Sequence, residues 1–349
     1  MLHSRKGRLQ SAVVVLLMIL LTGCGNGSEK IAEGMELVAG LNYKEALVRF
    51  EEAQALHENT RLIARGRGIA YMGLTDYEQA ITCFQEALSE SNGLVEDIDF
   101  DLNYYLAAAY TKCGRYGEAE DTYNAILALR PEEKEAYFLR GNVRLALSDY
   151  EGAKEDFDRV ISMDAGNYDR LISIYEVLKH YGYGEAGKEY LSQALETGEK
   201  QMNVYDKGRI YYYLGEYQKA YNALEEAKNK GGAESYLYLG KAYEATGDYN
   251  YASSVYNSYI SKNGGNAEIY NQLGLCEMKK KDYQKALEAF TAGMQVEDSD
   301  ILQKLAFNQI VAYEYLGEYQ KAAVLLEEYL KNYPDDETAK REQQFLSTR

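Results

Sequence analysis

The sequence predicts an all-α protein built as a solenoid of about nine helix-turn-helix repeats. Only two prolines occur in 349 residues, so helices can run almost uninterrupted. One phrase, Tyr-x-x-Ala-x-x-x followed by an aromatic residue or Leu, recurs nine times at spacings of 32 to 39 residues. Self-similarity at this period is typical of arrays in which each unit covers its apolar face with a neighbour. The phrase begins at Tyr43, Tyr77, Tyr116, Tyr150, Tyr183, Tyr217, Tyr249, Tyr283 and Tyr319.

Residues 1–23 are predicted to be a lipoprotein signal peptide. Three basic residues precede an apolar run over residues 12–21, which is too short to span a bilayer as a helix. The run ends in Leu21-Thr22-Gly23-Cys24, which resembles the lipobox of bacterial lipoproteins and implies a covalent lipid such as palmitate on Cys24. The alternative is an unmodified, buried Cys24 after an uncleaved segment.

Residues 24–30 are expected to be a lipidated tether. At up to about 3.5 Å per residue, the stretch from Cys24 to Ser28 spans less than about 20 Å, so the first repeat is expected close to the membrane. Two acyl chains on one cysteine satisfy the requirement for stable anchoring. The expected location is therefore the extracytoplasmic face of a bacterial cell membrane.

Residues 31–334 carry the repeats, whose small and large residues suggest how two helices cross. A small side chain permits a close crossing, and a large one fills the space beside it. The small residues are the alanine of each phrase and an earlier glycine, at Gly68, Gly141, Gly208, Gly240 and Gly274. The large residues are Phe50, Phe84, Phe157 and Phe290, with Tyr123, Tyr190 and Tyr256 in the same position of other repeats.

This pattern resembles the tetratricopeptide repeat family. Leu239-Gly240-Lys241-Ala242-Tyr243, followed by Tyr249, Ala252 and Tyr256, matches the family pattern well. The resemblance implies a right-handed superhelical α-solenoid that binds another protein or peptide in its concave groove. The first, fifth and ninth repeats match weakly on their first helix.

Two segments depart from the repeat period. The 39-residue spacing contains about five extra residues within 91–101, where a bend or a longer loop is expected. Residues 335–349 are polar and are expected to form either a cap helix or a frayed tail.

Composition and motifs argue against several functions. The chain has 38 Lys and Arg against 55 Asp and Glu, a net charge of -17, which disfavours nucleic acid as a partner. Neither the three histidines nor Cys83, Cys113 and Cys276 form a catalytic or metal-binding pattern, so no enzyme, metal or cofactor is expected. Asp97-x-Asp99-x-Asp101 resembles the start of a calcium loop but lacks its later glycine and glutamate, which favours a solvated acidic turn.

The chain has 35 tyrosines, and some exceed the needs of the repeat. In tetratricopeptide arrays, the second, fifth, ninth, twelfth and thirteenth residues of the first helix line the groove. These positions place there Tyr104, Tyr168, Tyr175, Tyr205, Tyr212, Tyr213 and Tyr315, with Arg209 and Lys241 as charged neighbours. The alternative is that tyrosines fill half-exposed positions indiscriminately.

When the sixth residue of the first helix is added for charged side chains, seven acidic and seven basic residues balance at the predicted groove positions. The acidic residues are Asp101, Glu135, Asp206, Glu234, Glu244, Glu268 and Glu314, and the basic residues are Arg65, Lys112, Lys179, Arg209, Lys241, Lys279 and Lys304. The predicted function is a membrane-anchored interaction scaffold that binds a peptide segment of another envelope protein through a tyrosine-lined groove. The alternative is a surface receptor that captures a free peptide or glycan for signalling or uptake.

Overall fold

A computed structural model describes residues 29–91, 93–198, 201–228, 232–297, 301–334 and 336–348; residues 1–23 and Cys24 lie outside these ranges. The described residues form nineteen α-helices and no strand, which confirms the all-α prediction. They are α1 (Glu29–Ala39), α2 (Tyr43–Ala55), α3 (Thr60–Gly73), α4 (Tyr77–Ser89), α5 (Asp97–Lys112), α6 (Tyr116–Leu129), α7 (Lys134–Ala146), α8 (Tyr150–Met163), α9 (Tyr168–His180), α10 (Gly184–Gly198), α11 (Val204–Leu214), α12 (Tyr217–Ala227), α13 (Ala233–Ala245), α14 (Tyr249–Asn263), α15 (Ala267–Lys280), α16 (Tyr283–Met294), α17 (Leu302–Tyr315), α18 (Tyr319–Asn332) and α19 (Glu337–Leu346).

Contacts between helices divide the chain into two compact parts. The N-terminal part extends to Ala165 and includes His180–Gly182, and the C-terminal part comprises Gly166–Lys179 and the residues from Tyr183 onward. Within each part, odd-numbered and even-numbered helices alternate as the first and second helix of a repeat, called helix A and helix B below. No helix among the described residues is both long and apolar enough to cross a membrane.

Eight of the nine described helices B begin at the tyrosine of the recurring phrase, for two local reasons. An aspartate directly before the tyrosine caps several of these helices; the Asp149 carboxylate, for example, accepts the backbone N–H of Gly152 at 3.0 Å. The residue two positions before each helix B has a positive φ, which reverses the chain between the two helices. Five of these turn residues are glycine; the other four are Leu41, Thr75, Ser148 and Lys281.

The aromatic side chains of helix B occupy space that glycine leaves on helix A, as predicted. A Cβ atom added to Gly240 would lie 2.3 Å from Cε1 and Cζ of Tyr256, whose side chain is fully buried. Gly68 faces Phe84 in the same way, with 2.4 Å between the added Cβ and Cε1 of the ring. Close helix crossing is therefore coupled to a specific large side chain in each repeat.

The fifth repeat is shifted by one residue relative to the prediction. Helix α10 begins at Gly184 rather than Tyr183, because the turn residue with positive φ is Gly182. As a result, Gly187 is buried where Ala186 was expected. Leu191 is fully buried in the position predicted for Tyr190, so the assignment of Tyr190 to the helix B core was wrong.

The insertion in the third repeat forms a loop and the first turn of α5. Asp99 completes a capping box with Glu96 and pairs with Arg61. Asp97 pairs with Arg130 at 2.5 Å, and Asp101 pairs with Arg65 at 2.5 Å. The predicted acidic turn is instead the start of a helix, whose N-terminus favours carboxylates. Asp97 remains exposed to solvent, as predicted, whereas Asp99 and Asp101 are partly buried beside their arginines. Within the described ranges, no group of three His, Cys, Asp or Glu side chains could hold a metal ion.

Both ends of the described chain are tied to the array. Helix α1 begins at Glu29, inside the segment predicted as a tether, and the Glu58 carboxylate accepts the backbone N–H groups of Lys30 and Ile31 at 3.1 Å each. Residues 337–346 form α19. Of the two alternatives for residues 335–349, a cap helix or a frayed tail, this helix agrees with the first. Ala339 and Leu346 bury its inner face against α18.

Candidate functional site

Four tyrosines of the C-terminal part lie in mutual contact on helices α11 and α13. This tyrosine cluster consists of Tyr205, Tyr212, Tyr213 and Tyr238, and each side chain is partly exposed. The Tyr238 ring centroid lies 5.8 Å from that of Tyr212, 6.0 Å from that of Tyr213 and 6.2 Å from that of Tyr205, all edge to face. Tilted ring contacts of this kind are favourable and hold the rings in order.

Hydrogen bonds fix the hydroxyl ends of the cluster. Tyr205 donates to the Glu234 carboxylate, and Tyr213 donates to Glu176 at 3.1 Å. The hydroxyls of Tyr213 and Tyr238 also lie 3.1 Å apart. Burial, and then the bond to Glu234, raises the pKa of Tyr205, so its phenol stays protonated at neutral pH.

Two residues predicted to contact a partner lie behind the cluster instead. Tyr175 is 3% exposed, and its ring centroid lies 5.4 Å from that of Tyr213. Arg209 is 7% exposed, stands 4.6 Å from the Tyr205 ring centroid and pairs with Asp169 and Asp206. Burial lowers the pKa of Arg209, but the bonds to both aspartates outweigh it and the pKa is raised. Both side chains are buried against rings of the tyrosine cluster and expose little surface to a partner.

The remaining predicted groove residues have separate surroundings. Lys241 Nζ lies 5.6 Å from the Tyr238 ring centroid, at the edge of the cluster. Tyr168 is the first residue of α9, and Tyr315 is 60% exposed on α17 with its ring centroid 5.0 Å from that of Tyr283. Tyr104 belongs to the N-terminal part, where its hydroxyl is buried without a hydrogen-bond partner among the described residues.

Tyr238 is the central ring of the cluster, and the sequence reasoning missed it. It is the sixth residue of α13, a position that the groove assignment considered only for charged side chains. The sequence nevertheless contains a signal. Tyr238 stands four residues after Glu234 and three before Lys241, both of which were assigned to the groove, and this spacing places all three on one helix face.

Many charged side chains at groove positions have partners within the chain. Arg65 pairs with Asp101 in the N-terminal part, and Tyr205 bonds to Glu234 in the C-terminal part. The two contacts occupy equivalent positions of the repeat. In each, the first residue stands twelve positions before the phrase tyrosine of its own repeat, and the second stands fifteen positions before that of the next repeat. The Glu244 carboxylate likewise accepts the Tyr256 hydroxyl at 2.5 Å, and burial raises the pKa of Glu244.

Comparison with known proteins agrees with the repeat architecture. Tetratricopeptide repeat models match residues 71–142, 134–167, 237–294 and 305–336. RNA polymerase II-associated protein 3 of Xenopus tropicalis is 25% identical over 217 residues, which cover 62% of this chain and 30% of that protein. A TPR repeat-containing protein of Methanocaldococcus jannaschii is 26% identical over 253 residues, 70% of this chain and 40% of that protein. The chain thus matches less than half of the length of either relative.

A solved tetratricopeptide repeat protein from Parabacteroides merdae superposes with a TM-score of 0.45 at 16% identity, covering 81% of this chain and 98% of that one. The family as a whole is generally non-catalytic and binds other proteins or peptides. With its repeated phrase, its alternating helices and the four matching models, the chain belongs to the tetratricopeptide repeat family.

Proposed function

We propose that the chain is a lipid-anchored scaffold on the extracytoplasmic face of a bacterial membrane, and that it holds an extended or helical segment of another envelope protein against the tyrosine cluster. The observation that carries this proposal is the set of four partly exposed, mutually ordered rings on neighbouring helices A. A tyrosine offers a rigid apolar face and a polar tip. Rings that are already ordered lose little further entropy when a partner binds.

The charges around the cluster indicate how a partner would be recognised. Arg209 is occupied by Asp169 and Asp206, and Glu234 accepts the Tyr205 hydroxyl. Most of the local charge is therefore neutralised before a partner arrives. Ring faces, tyrosine hydroxyls and the partner backbone would supply the contacts, and a strongly acidic or basic partner gains no clear advantage.

The proposed anchor rests on the basic start, the apolar run over 12–21 and the lipobox-like Leu21-Thr22-Gly23-Cys24. Helix α1 begins at Glu29 and is fixed by Glu58, so few residues remain between Cys24 and the first repeat. A short connection of this kind would keep the array near the membrane surface, where an envelope partner is also confined.

Site-specific crosslinking in native membranes tests the partner proposal. A photo-reactive residue is placed at Tyr238 in one variant and at Tyr251 in a matched control. Tyr251 is 61% exposed but lies in a different ring stack, with its centroid 5.5 Å from that of Tyr243. We expect one stoichiometric protein partner from position 238 and not from position 251. Crosslinking only to a soluble peptide or a glycan would favour the receptor alternative.

Paired Tyr205→Ala and Tyr212→Ala substitutions complete the test. They remove two of the four rings without touching the glycine and aromatic positions that hold the repeats together. We expect capture at position 238 to be lost while helicity by circular dichroism stays unchanged. Intact capture, or equal labelling from positions 238 and 251, contradicts the proposed site.

A further inference from the structure

Helix α19 stacks on the array as a helix A would. Asp336 caps its start by accepting the backbone N–H groups of Thr338 and Ala339, and it also accepts the Tyr329 hydroxyl at 2.6 Å. Ala339 is fully buried, and Leu346 is 6% exposed within a cluster that includes Ile310 and Leu326. Docking of α19 thus covers apolar surface of both α17 and α18.

A pair of carboxyl groups spans the contact between α17 and α19. The carboxyl group of Glu314 on α17 lies beside that of Glu342 on α19. Oε1 of Glu314 is buried, and it has no hydrogen-bond donor among the described residues while both groups are ionised. Two adjacent carboxylates repel each other, and neither can donate a hydrogen bond. One proton bound between them removes the repulsion and supplies the missing donor.

Lys331 lies in the last turn of α18, twelve residues after Tyr319 and about 18 Å along that helix. Most other described basic side chains on the surrounding helices are engaged elsewhere. Their partners are Glu277 for Lys280 on α15, Glu318 for Lys321 on α18, Glu337 for Lys340 on α19, and the Glu337 carbonyl for Arg341 on α19. Lys279 on α15 interacts electrostatically with Glu244. Lys304 stands ten residues before Glu314 on α17, about 15 Å along the helix. A proton is therefore the cation best placed to neutralise the pair.

We propose that α19 is a pH-sensitive cap, held on α17 and α18 by a proton that Glu314 and Glu342 share and loosened when that proton is lost near neutral pH. Burial, and then the charge and hydrogen bond of Glu342, raises the pKa of Glu314 to about 7. A carboxyl whose pKa is raised in the docked state stabilises that state fully at low pH, and the stabilisation is lost as pH rises through about 7. For one linked proton, the docking equilibrium falls by up to about tenfold per pH unit between the ordinary glutamate pKa of about 4.3 and about 7, and it levels off above pH 7.

Hydrogen exchange of the full chain tests the cap. Protection of the α19 amides, corrected for the intrinsic pH dependence of exchange, is compared between about pH 6 and pH 8, with α16 as an internal reference. We expect protection of α19 to fall by about tenfold in the wild type, while that of α16 stays constant. Unchanged wild-type protection of α19 across this range overturns the proposal.

Two substitutions on α19 separate the carboxyl pair from general effects of charge. In Glu342→Gln, the amide can donate to Glu314 at every pH, so α19 should stay protected at both ends of the range. Glu337→Gln is the matched control, because it removes a carboxylate of the same helix that pairs with Lys340 instead. It should retain the wild-type pH dependence. Equal behaviour of the two variants, or loss of α19 protection at pH 6 in Glu342→Gln, overturns the shared-proton mechanism.

The carboxyl carbon of Glu314, followed by NMR in the full chain, gives an independent readout. A titration midpoint near pH 7 in the wild type, moved down in Glu342→Gln, is the expected result. An ordinary glutamate midpoint in the wild type contradicts the proposal. The partner-binding proposal is not involved in this measurement, so either can fail without the other.

Discussion

Substitution of Gly240 by alanine should destabilise the C-terminal part, although alanine is the better helix former. The new Cβ would lie 2.3 Å from two carbons of the Tyr256 ring and 2.6 Å from its hydroxyl oxygen. The ring cannot retreat, because it is fully buried and its hydroxyl is bonded to Glu244 at 2.5 Å. Overpacking of a core costs about 1–3 kcal/mol, and contacts as short as 2.3 Å place this clash at about 2–3 kcal/mol, while the gain in helix propensity returns about 1 kcal/mol. We expect a net loss of about 1–2 kcal/mol.

Gly117→Ala is the matched control for this prediction. Gly117 lies in helix α6, and a Cβ atom added there would meet nothing within 4 Å. It should stabilise the chain by about 0.4–1 kcal/mol, since only the helix-propensity and unfolded-state effects operate. Urea unfolding followed by circular dichroism, with hydrogen exchange of α13 and α14, measures both variants. A Gly240→Ala chain as stable as the wild type would refute the reasoning that the ring and the glycine are sterically coupled.

A second change tests the coupling directly. Two repeats that lack the helix A glycine carry an isoleucine there and a leucine on helix B: Ile174 with Leu191, and Ile310 with Leu326. The double variant Gly240→Ala with Tyr256→Leu changes the pair in the same direction, with a larger residue on helix A and a smaller one on helix B. Its destabilisation should be smaller than the sum of the two single losses by about 1 kcal/mol or more. Strict additivity would mean that the two sites do not share the same space.

Three other outcomes follow from the sequence and the structure. Leu41→Gly and Lys281→Gly should each raise the midpoint of thermal unfolding, because a residue with a Cβ atom destabilises the fold by about 1–2 kcal/mol at a positive φ. Gly247→Ala should lower the midpoint for the same reason. Cys24→Ala should move the protein from the membrane fraction to the soluble fraction; continued membrane retention would contradict lipidation at this residue. Partner capture at Tyr238 should change little between about 0.05 M and 0.5 M salt, because the local charges are paired internally, and a steep loss would indicate recognition by charge.

The sequence predicts the repeats well at positions where the residue type is compatible with only one structural role. Each phrase tyrosine follows a turn, and most helix A glycines of the repeat pattern face an aromatic ring, with Gly208 facing Leu224 instead, so periodicity alone locates most helices. The fifth repeat shows where this reasoning ends. Gly182, Gly184 and Gly187 surround the phrase, and two registers one residue apart place a small residue at the crossing equally well. The position of the positive φ at Gly182 decides between them, and no pattern in the phrase indicates it.

The candidate site was less predictable, because it depends on contacts between repeats rather than within them. Position along helix A indicated that Tyr205, Tyr212 and Tyr213 share a face. It could not indicate that Tyr175 would be covered or that Arg209 would also pair with Asp169, since both outcomes depend on side chains of a neighbouring helix. The repeat pattern specifies the backbone of each helix pair. The side chains of adjacent repeats, which differ along the chain, determine which groove residues remain exposed to a partner.

One contact between successive helices A shows how the side chains at a single repeat position determine whether the contact depends on pH. Tyr212 stands five residues before a phrase tyrosine and meets Tyr238, the sixth residue of the next helix A. Glu314 stands five residues before Tyr319 and meets Glu342, the sixth residue of α19. The contact has the same place in the repeat, but two aromatic rings attract each other at any physiological pH, whereas two carboxyls do so only when they share a proton. Because side-chain chemistry at this contact can change without altering the repeat backbone, one array can combine a permanently ordered aromatic surface with a pH-sensitive cap.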